Sequence, residues 1–395
     1  MRNLIPSFPV PNLSEKDMHR PLTIVALAAG GLFAFASTAT AETITVCANG
    51  CDYTSINDAI DASSNGDVIQ LAAETYFEGE QIDPDGKAIT LRGVLNKAGE
   101  PASVLDGAEE HRVLRCRTNE SGATAFENLV IQNGFSSSNG GGMYNIDFSS
   151  PTLINCTFTG NSADDDGGGM YNDRSNPTLT GCTFTGNSAE INGGGIHNES
   201  SSPNLTDCTF TNNSSAGLPA DGGGGGGGGG MSNYRSSPNL TNCTFTGNSA
   251  EYLGGGMYNV FSSSPALTDC TFSNNSASSG GVSSGGGMYN LDGSSPDLTD
   301  CTFVRNSSVF GGGMYNELSS ATLISCAFTS NSADTGGGMY NNAGSSPSLA
   351  DCTFTGNSAV FNGGGMYNLS SEPTLDNCTF TSNSAGNGGG MYNFA

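Results

Sequence analysis

Tryptophan is absent from the chain, and lysine is absent from Gly140 to the end, a stretch whose only cations are Arg174, Arg235 and Arg305. Binding a phosphate backbone or an anionic lipid surface requires clustered Lys and Arg. No nucleic-acid partner is therefore expected. The whole chain points the same way, with 12 Lys and Arg against 37 Asp and Glu and a formal net charge of -25. Apolar residues are also scarce, at 35% of 395 residues, while glycine reaches 58. That is too little apolar material for two or three ordinary cores, and taken alone it is the composition of a disordered chain. The regular spacing of the few apolar residues argues against disorder.

Long apolar runs are missing too, apart from Leu22 to Ala36 near the N-terminus. That run is short of the roughly 20 residues a membrane-spanning helix needs. It follows a weakly basic start at Met18-His19-Arg20 and precedes the small-residue site Ala39-Thr40-Ala41. The pattern is that of an export signal, with cleavage expected after Ala41 and Met18 as the expected true start. Residues 1–41 form this region. No cysteine follows the site to carry a lipid anchor, and no transmembrane segment is expected in the mature chain.

What the chain does have is a repeat. Cys-Thr-Phe begins at Cys156, Cys182, Cys208, Cys243, Cys270, Cys301, Cys352 and Cys378, and Cys-Ala-Phe at Cys326. Between the copies stands Gly-Gly-Gly followed by Met or Ile, ending at Met143, Met170, Ile196, Met231, Met257, Met288, Met314, Met339, Met366 and Met391. One unit reads roughly S-S-P-x-L-x-x-C-T-F-T-x-N-S-A, a variable stretch, then G-G-G-M-Y-N. The density of Gly, Asn, Ser, Thr and Pro excludes helix. Short alternating segments between turn residues predict strands, three per unit, one unit making one coil of a solenoid.

Like residues recurring on every coil predict columns about 4.8 Å apart. Leu, Cys, Phe, Ala and Met fill the interior, and two asparagine columns run through it, one from Asn161 to Asn383 and one from Asn145 to Asn393. Stacked amides can bond to the coils above and below, and each coil then satisfies its neighbour. Length variation enters at one corner, between Asn-Ser-Ala and Gly-Gly-Gly. Its longest examples are Ser214 to Gly230, with a nine-glycine run, and Ser276 to Gly287.

Residues 42–136 differ from the repeats. Ile56, Ala59 and Ile60 at helical spacing predict a short amphipathic helix over 54–62, followed by strands at 68–71, 88–91, 113–114 and 126–131. The helix is expected to cap the open end of the solenoid. The fold class is all-β: a single-stranded right-handed parallel β-helix with a capping helix, its first coils in 42–136 and about ten coils of 25–35 residues in 137–395.

Two resemblances follow from particular motifs. Ser55-Ile56-Asn57-Asp58-Ala59-Ile60, Gly86-Lys87-Ala88-Ile89-Thr90-Leu91 and Phe126-Glu127-Asn128-Leu129 resemble the N-terminal coils of pectate-lyase-like β-helix proteins. The F-x-x-N-S-A and G-G-G-[MI] motifs resemble the repeats of polymorphic outer membrane proteins, which implies display at a cell surface. Members of that family end in a membrane barrel, and no barrel pattern is found up to Ala395. The fold hosts lyases, hydrolases, adhesins and inert scaffolds alike.

The candidate site is the column Tyr144, Tyr171, Tyr258, Tyr289, Tyr315, Tyr340, Tyr367 and Tyr392. His197 and Ser232 replace Tyr there while the Met position stays apolar, so Met is expected to point in and Tyr out. An outward ridge of tyrosines can bind a partner or a sugar; a stacked ladder that stabilises adjacent coils is the other reading. His197 is expected to be a drifted surface residue, and Asp164-Asp165-Asp166 a solvated acidic loop. Asp207, Asp269, Asp300 and Asp351, before the repeat Cys, are expected to be solubilising turn residues, with weak Ca2+ the one cofactor they admit. The repeat cysteines are expected to be buried free thiols, and Cys47 and Cys51 to form a disulfide.

The function expected is a secreted or cell-surface scaffold of adhesion type, without catalysis, its partner a carbohydrate or a cell-surface protein. Outer-membrane association is one form this could take. The alternative is a polysaccharide-active enzyme, either a lyase or a glycoside hydrolase. At Met391 to Ala395 the repeat breaks off without a cap. Either the natural chain continues, or this end is expected to associate end-to-end with another copy.

Overall fold

The computed structural model describes residues 40–217, 226–278 and 282–395. Nearly all of the expected export segment, and parts of the two longest insertions, lie outside the described residues.

Each repeat folds into one coil of four short strands. In one coil these are Thr152–Ile154, Thr157–Thr159, Ser162–Ala163 and Met170–Asp173. Strands pair in parallel with their equivalents one coil on, which builds four sheets of 13, 12, 9 and 11 strands. They are the leucine, phenylalanine, serine and methionine sheets, after the residues that mark them. Three strands were expected. The fourth is Ser162–Ala163 and its copies, too short for any alternation to be visible.

Four strands need four corners, and each corner uses a residue in the left-handed region. Before the repeat Cys stand Asn155 (φ 51°), Asp207 (φ 56°) and their equivalents; before the Asn-Ser pair stand Gly160 (φ 62°) and Asn212 (φ 53°). The first glycine of the triplet makes the third corner, as at Gly254 (φ 62°), and Arg174 (φ 49°) is one example at the fourth. Gly, Asn and Asp adopt this conformation most easily, which explains their columns. The other two glycines are required by closeness: a Cβ on Gly256 would collide with the Gly287 carbonyl and lie 2.8 Å from Phe272 Cδ1.

The interior is filled as the periodicity predicts. Met257, Leu267, Cys270 and Phe272 are all buried, as are their copies on neighbouring coils. The Phe rings form one continuous stack; Phe272 lies 4.7 Å from Phe245 and 4.8 Å from Phe303, nearly parallel to both. Both asparagine columns are hydrogen-bonded ladders inside the coil. Asn248 Nδ2 donates to Asn275 Oδ1 at 3.0 Å and to the Phe210 carbonyl at 2.9 Å. In the second ladder Asn259 Nδ2 donates to Asn290 Oδ1 at 2.8 Å.

The helix Ile56–Ala62 packs Ile56, Ala59 and Ile60 onto the first strands of the leucine sheet, Thr43–Val46 and Val68–Leu71. Ser55 caps its N-terminus, and Lys87 Nζ caps its C-terminus by donating to the Ile60 and Asp61 carbonyls at 2.5 and 2.9 Å. The segment 126–131 divides at Asn128 (φ 56°) into two strands, Ala125–Glu127 and Leu129–Gln132. The strands expected at 88–91 and 113–114 are Thr90–Arg92 and Leu114–Cys116. The leucine, phenylalanine and methionine sheets pass residue 136 without interruption, and the serine sheet begins there, at Phe135–Ser136.

Candidate functional site

Within each methionine strand, alternation points Met and Asn inward and Tyr outward. The outward direction does not leave the tyrosines open. Tyr171, Tyr258, Tyr289, Tyr315, Tyr340 and Tyr367 are only 4–8% exposed. Two features cover them. Most rings lie against the next coil's ring, as Tyr289 stacks on Tyr315 at 4.9 Å and 5°. Val260, Leu291 and Leu369, two residues further along their strands, and Leu253 and Phe310 from the insertion corner, pack against the column as a second apolar cluster outside the coil. Wherever rings follow one another on successive coils, the faces that would receive a sugar are thus taken up by neighbouring rings, and the column there is a ladder. Tyr144 and Tyr392, at its two ends, are half-buried.

His197 departs from its expected place on the surface. It is 4% exposed and stacks on Tyr171 at 5.4 Å and 7°, because the row in which it stands is covered.

Two of the ladder's hydroxyls are directed to carboxylates. Tyr171 donates to Glu199 Oε2 at 2.6 Å and Tyr289 to Glu317 Oε2 at 2.7 Å. Burial, and then those carboxylates, hold both hydroxyls well above the ordinary tyrosine range. Burial, with the Tyr367 hydroxyl adding to it, pushes Tyr340 up to about 12. A raised folded value favours the fold fully below the unfolded pKa of about 10, and this contribution is lost as pH rises through the folded value. In an alkaline ultraviolet titration most ladder tyrosines should therefore stay un-ionised past pH ~10.5, ionising only as the fold is lost. Complete ionisation near pH 10 with an unchanged circular dichroism spectrum would contradict the sealed ladder.

The acidic positions lie elsewhere. Asp207 and Asp351 occupy left-handed corners and accept from Asn242 and Asn377 Nδ2 at 2.6 and 2.5 Å. Backbone conformation thus accounts for Asn and Asp alternating in that column. Asp164 is exposed, and Asp166 accepts from Asn192 Nδ2 at 2.9 Å. Arg174 pairs instead with Asp147 and Asp173. Among the described residues no three His, Cys, Asp or Glu side chains are grouped to hold a metal. Chelator should leave the melting temperature unchanged; a clear drop would establish calcium bound to the folded form.

Cys47 and Cys51 are disulfide-bonded, their Cα atoms 5.5 Å apart. The nine repeat cysteines are free, and their thiols face backbone carbonyls, as Cys182 Sγ lies 3.6 Å from the carbonyl oxygens of both Leu153 and Thr180, either of which can accept its one S–H.

One grouping stands outside every residue expected from the repeat pattern. Arg115, in register with Tyr144 on the outer face of the methionine sheet, donates from Nε to Asp83 Oδ2 at 2.8 Å, with Arg117 3.4 Å from the same oxygen. The Arg112 guanidinium lies 4.7 Å over the Tyr144 ring. Its signal in the sequence is the clustering of three arginines between 112 and 117, in a chain with 12 cations.

The model of the right-handed β-helix region matches residues 118–226 and 223–349, more than half of the chain. The chain belongs to this family. Its four parallel sheets agree with that membership. Among curated proteins nothing matches. Solved structures similar to this β-helix include a mannuronic-acid-specific polysaccharide family 6 lyase from human gut microbiota, at 10% identity and TM-score 0.38, covering 85% of this chain and 83% of that one. Pectate lyase Pel9A is similar at 15% identity and TM-score 0.34, covering 86% and 78%. PfbA, a surface adhesin of Streptococcus pneumoniae, is similar at 9% identity and TM-score 0.33, covering 85% and 87%. At these values the likeness extends to no substrate and no residue.

Proposed function

We propose that this β-helix is a secreted or cell-surface scaffold of adhesion type, without catalytic activity. The observation that carries the reading is how its variation is distributed. The interior repeats the same residues coil after coil and satisfies itself, whereas length and chemistry vary at the corner between the serine and methionine sheets. That corner exposes large apolar side chains, Val282 at 58%, Val360 at 62% and Phe361 at 57%. Variable loops on a rigid support are where binding is usually placed, and exposed apolar side chains commonly mark such surfaces. The export-signal pattern before Glu42 and the resemblance of the repeat motifs to those of polymorphic outer membrane proteins support a location outside the cytoplasm, with outer-membrane association as one form of it. No helix among the described residues is long and apolar enough to cross a membrane.

The purified protein should bind a cell surface or a member of a polysaccharide panel without releasing product. Val360→Ser with Phe361→Ser should weaken that binding at an unchanged melting temperature. Undiminished binding by the double variant would remove the corner from the reading.

The Arg115–Asp83 pair favours a second reading, a polysaccharide-active enzyme, because it sets a cation beside a carboxylate on an outer sheet face. New reducing or unsaturated ends released from one polysaccharide, and lost in Arg115→Ala, would establish it.

A further inference from the structure

The tyrosine ladder is broken in one place. In register along the methionine sheet stand Tyr171, His197, Ser232 and Tyr258. Adjacent coils are about 4.8 Å apart, so the rings of His197 and Tyr258 belong to rungs about 9.6 Å apart. Elsewhere in the column a ring fills the intervening rung, at centroid separations of 4.7–5.7 Å. Serine leaves that rung one ring short.

Two further observations mark the place. His197 Nδ1 and Ser232 Oγ are buried side-chain atoms without a hydrogen-bond partner, in residues only 4% and 1% exposed. Adjacent rungs carry them. Most buried polar groups are paired, and an exception requires an explanation. Tyr258, bordering the break, is also turned 50° from Tyr289, the largest tilt in the column.

The geometry points to a binding slot for one uncharged pyranose ring, seated between the His197 and Tyr258 rings with its hydroxyls on His197 Nδ1 and Ser232 Oγ. The thickness of the missing rung selects a single ring. The two unpartnered atoms select a guest that carries hydroxyl groups, since a bare aromatic ring would leave both unpaired. Charge selects against an acidic sugar: Glu199 stands in the same strand as His197, and the chain carries a net charge of -25. Tyr258 opens the slot by returning to the parallel orientation of its neighbours. This goes beyond the scaffold reading and holds whether or not the protein has an activity elsewhere.

Ligand-observed NMR on the full chain decides it, with methyl glucoside, galactoside and mannoside as probes and methyl glucuronide and phenol as controls. At least one neutral glycoside should bind. Ser232→Tyr, which restores the residue standing on eight of the ten rungs, should abolish that binding and raise the melting temperature. Ser232→Ala keeps the space, removes one hydroxyl and should weaken binding by about tenfold, the loss of one hydrogen bond to the guest. A neutral glycoside that still binds Ser232→Tyr overturns the site. So does phenol binding without any glycoside, or glucuronide binding as tightly as glucoside. Failure of all three glycosides to bind the unaltered chain also overturns the proposal.

Discussion

Asn248→Ala is expected to remove roughly 4 kcal/mol of local stability. The Asn248 side chain closes four hydrogen bonds: Oδ1 accepts from Asn213 N and Nδ2 at 3.0 Å each, and Nδ2 donates to the Phe210 carbonyl at 2.9 Å and to Asn275 Oδ1 at 3.0 Å. Truncation leaves the Asn213 backbone N–H and one hydrogen of its amide buried without partners, at about 1–3 kcal/mol each. Water cannot reach them, since Asn213 is fully buried. The second ladder provides an internal control. Asn290 accepts only from Asn259 Nδ2 and donates only to Asn316 Oδ1, both at 2.8 Å. Asn290→Ala should therefore cost clearly less. Denaturant melts of the two variants make the comparison, and equal losses would mean that the backbone bonds of the first ladder add nothing.

Phe272→Ala should cost about 3–5 kcal/mol, the range for a buried aromatic truncated to alanine. The ring is fully buried, and its removal also interrupts the stack between Phe245 and Phe303. Because each coil touches only its neighbours, the damage should stay near coils 245–303. Hydrogen exchange should show amides opening there while Thr152–Thr159 keeps its protection. An unchanged melting curve would contradict the inward register of Phe; uniform loss along the rod would contradict nearest-neighbour stability.

Much of the fold is legible in the repeat itself. A solenoid stacks each residue on its own copy, so Leu, Cys, Phe, Met and Asn must each suit a neighbour of the same kind, and the period is written plainly. The helix at Ile56–Ala62 is legible from three apolar residues at helical spacing. The two-residue strand at Ser162–Ala163 is not, because two residues carry no alternation. Nor is the split of 126–131, which depends on a left-handed Asn128 that looks like any strand residue in an apolar run.

The sequence by itself determined the coil, its register, the inward set of side chains and the single corner that tolerates insertion, because those follow from a repeat packing against itself. Only the tertiary structure decided what becomes of the outward set. Whether an outward tyrosine is open or sealed depends on the ring one coil away and on side chains such as Leu253 and Phe310 that arrive from a different corner. No spacing within one repeat encodes those contacts. The same dependence turned His197 from a surface residue into a buried one. It also left His197 and Ser232 with two polar atoms that nothing in the described structure satisfies.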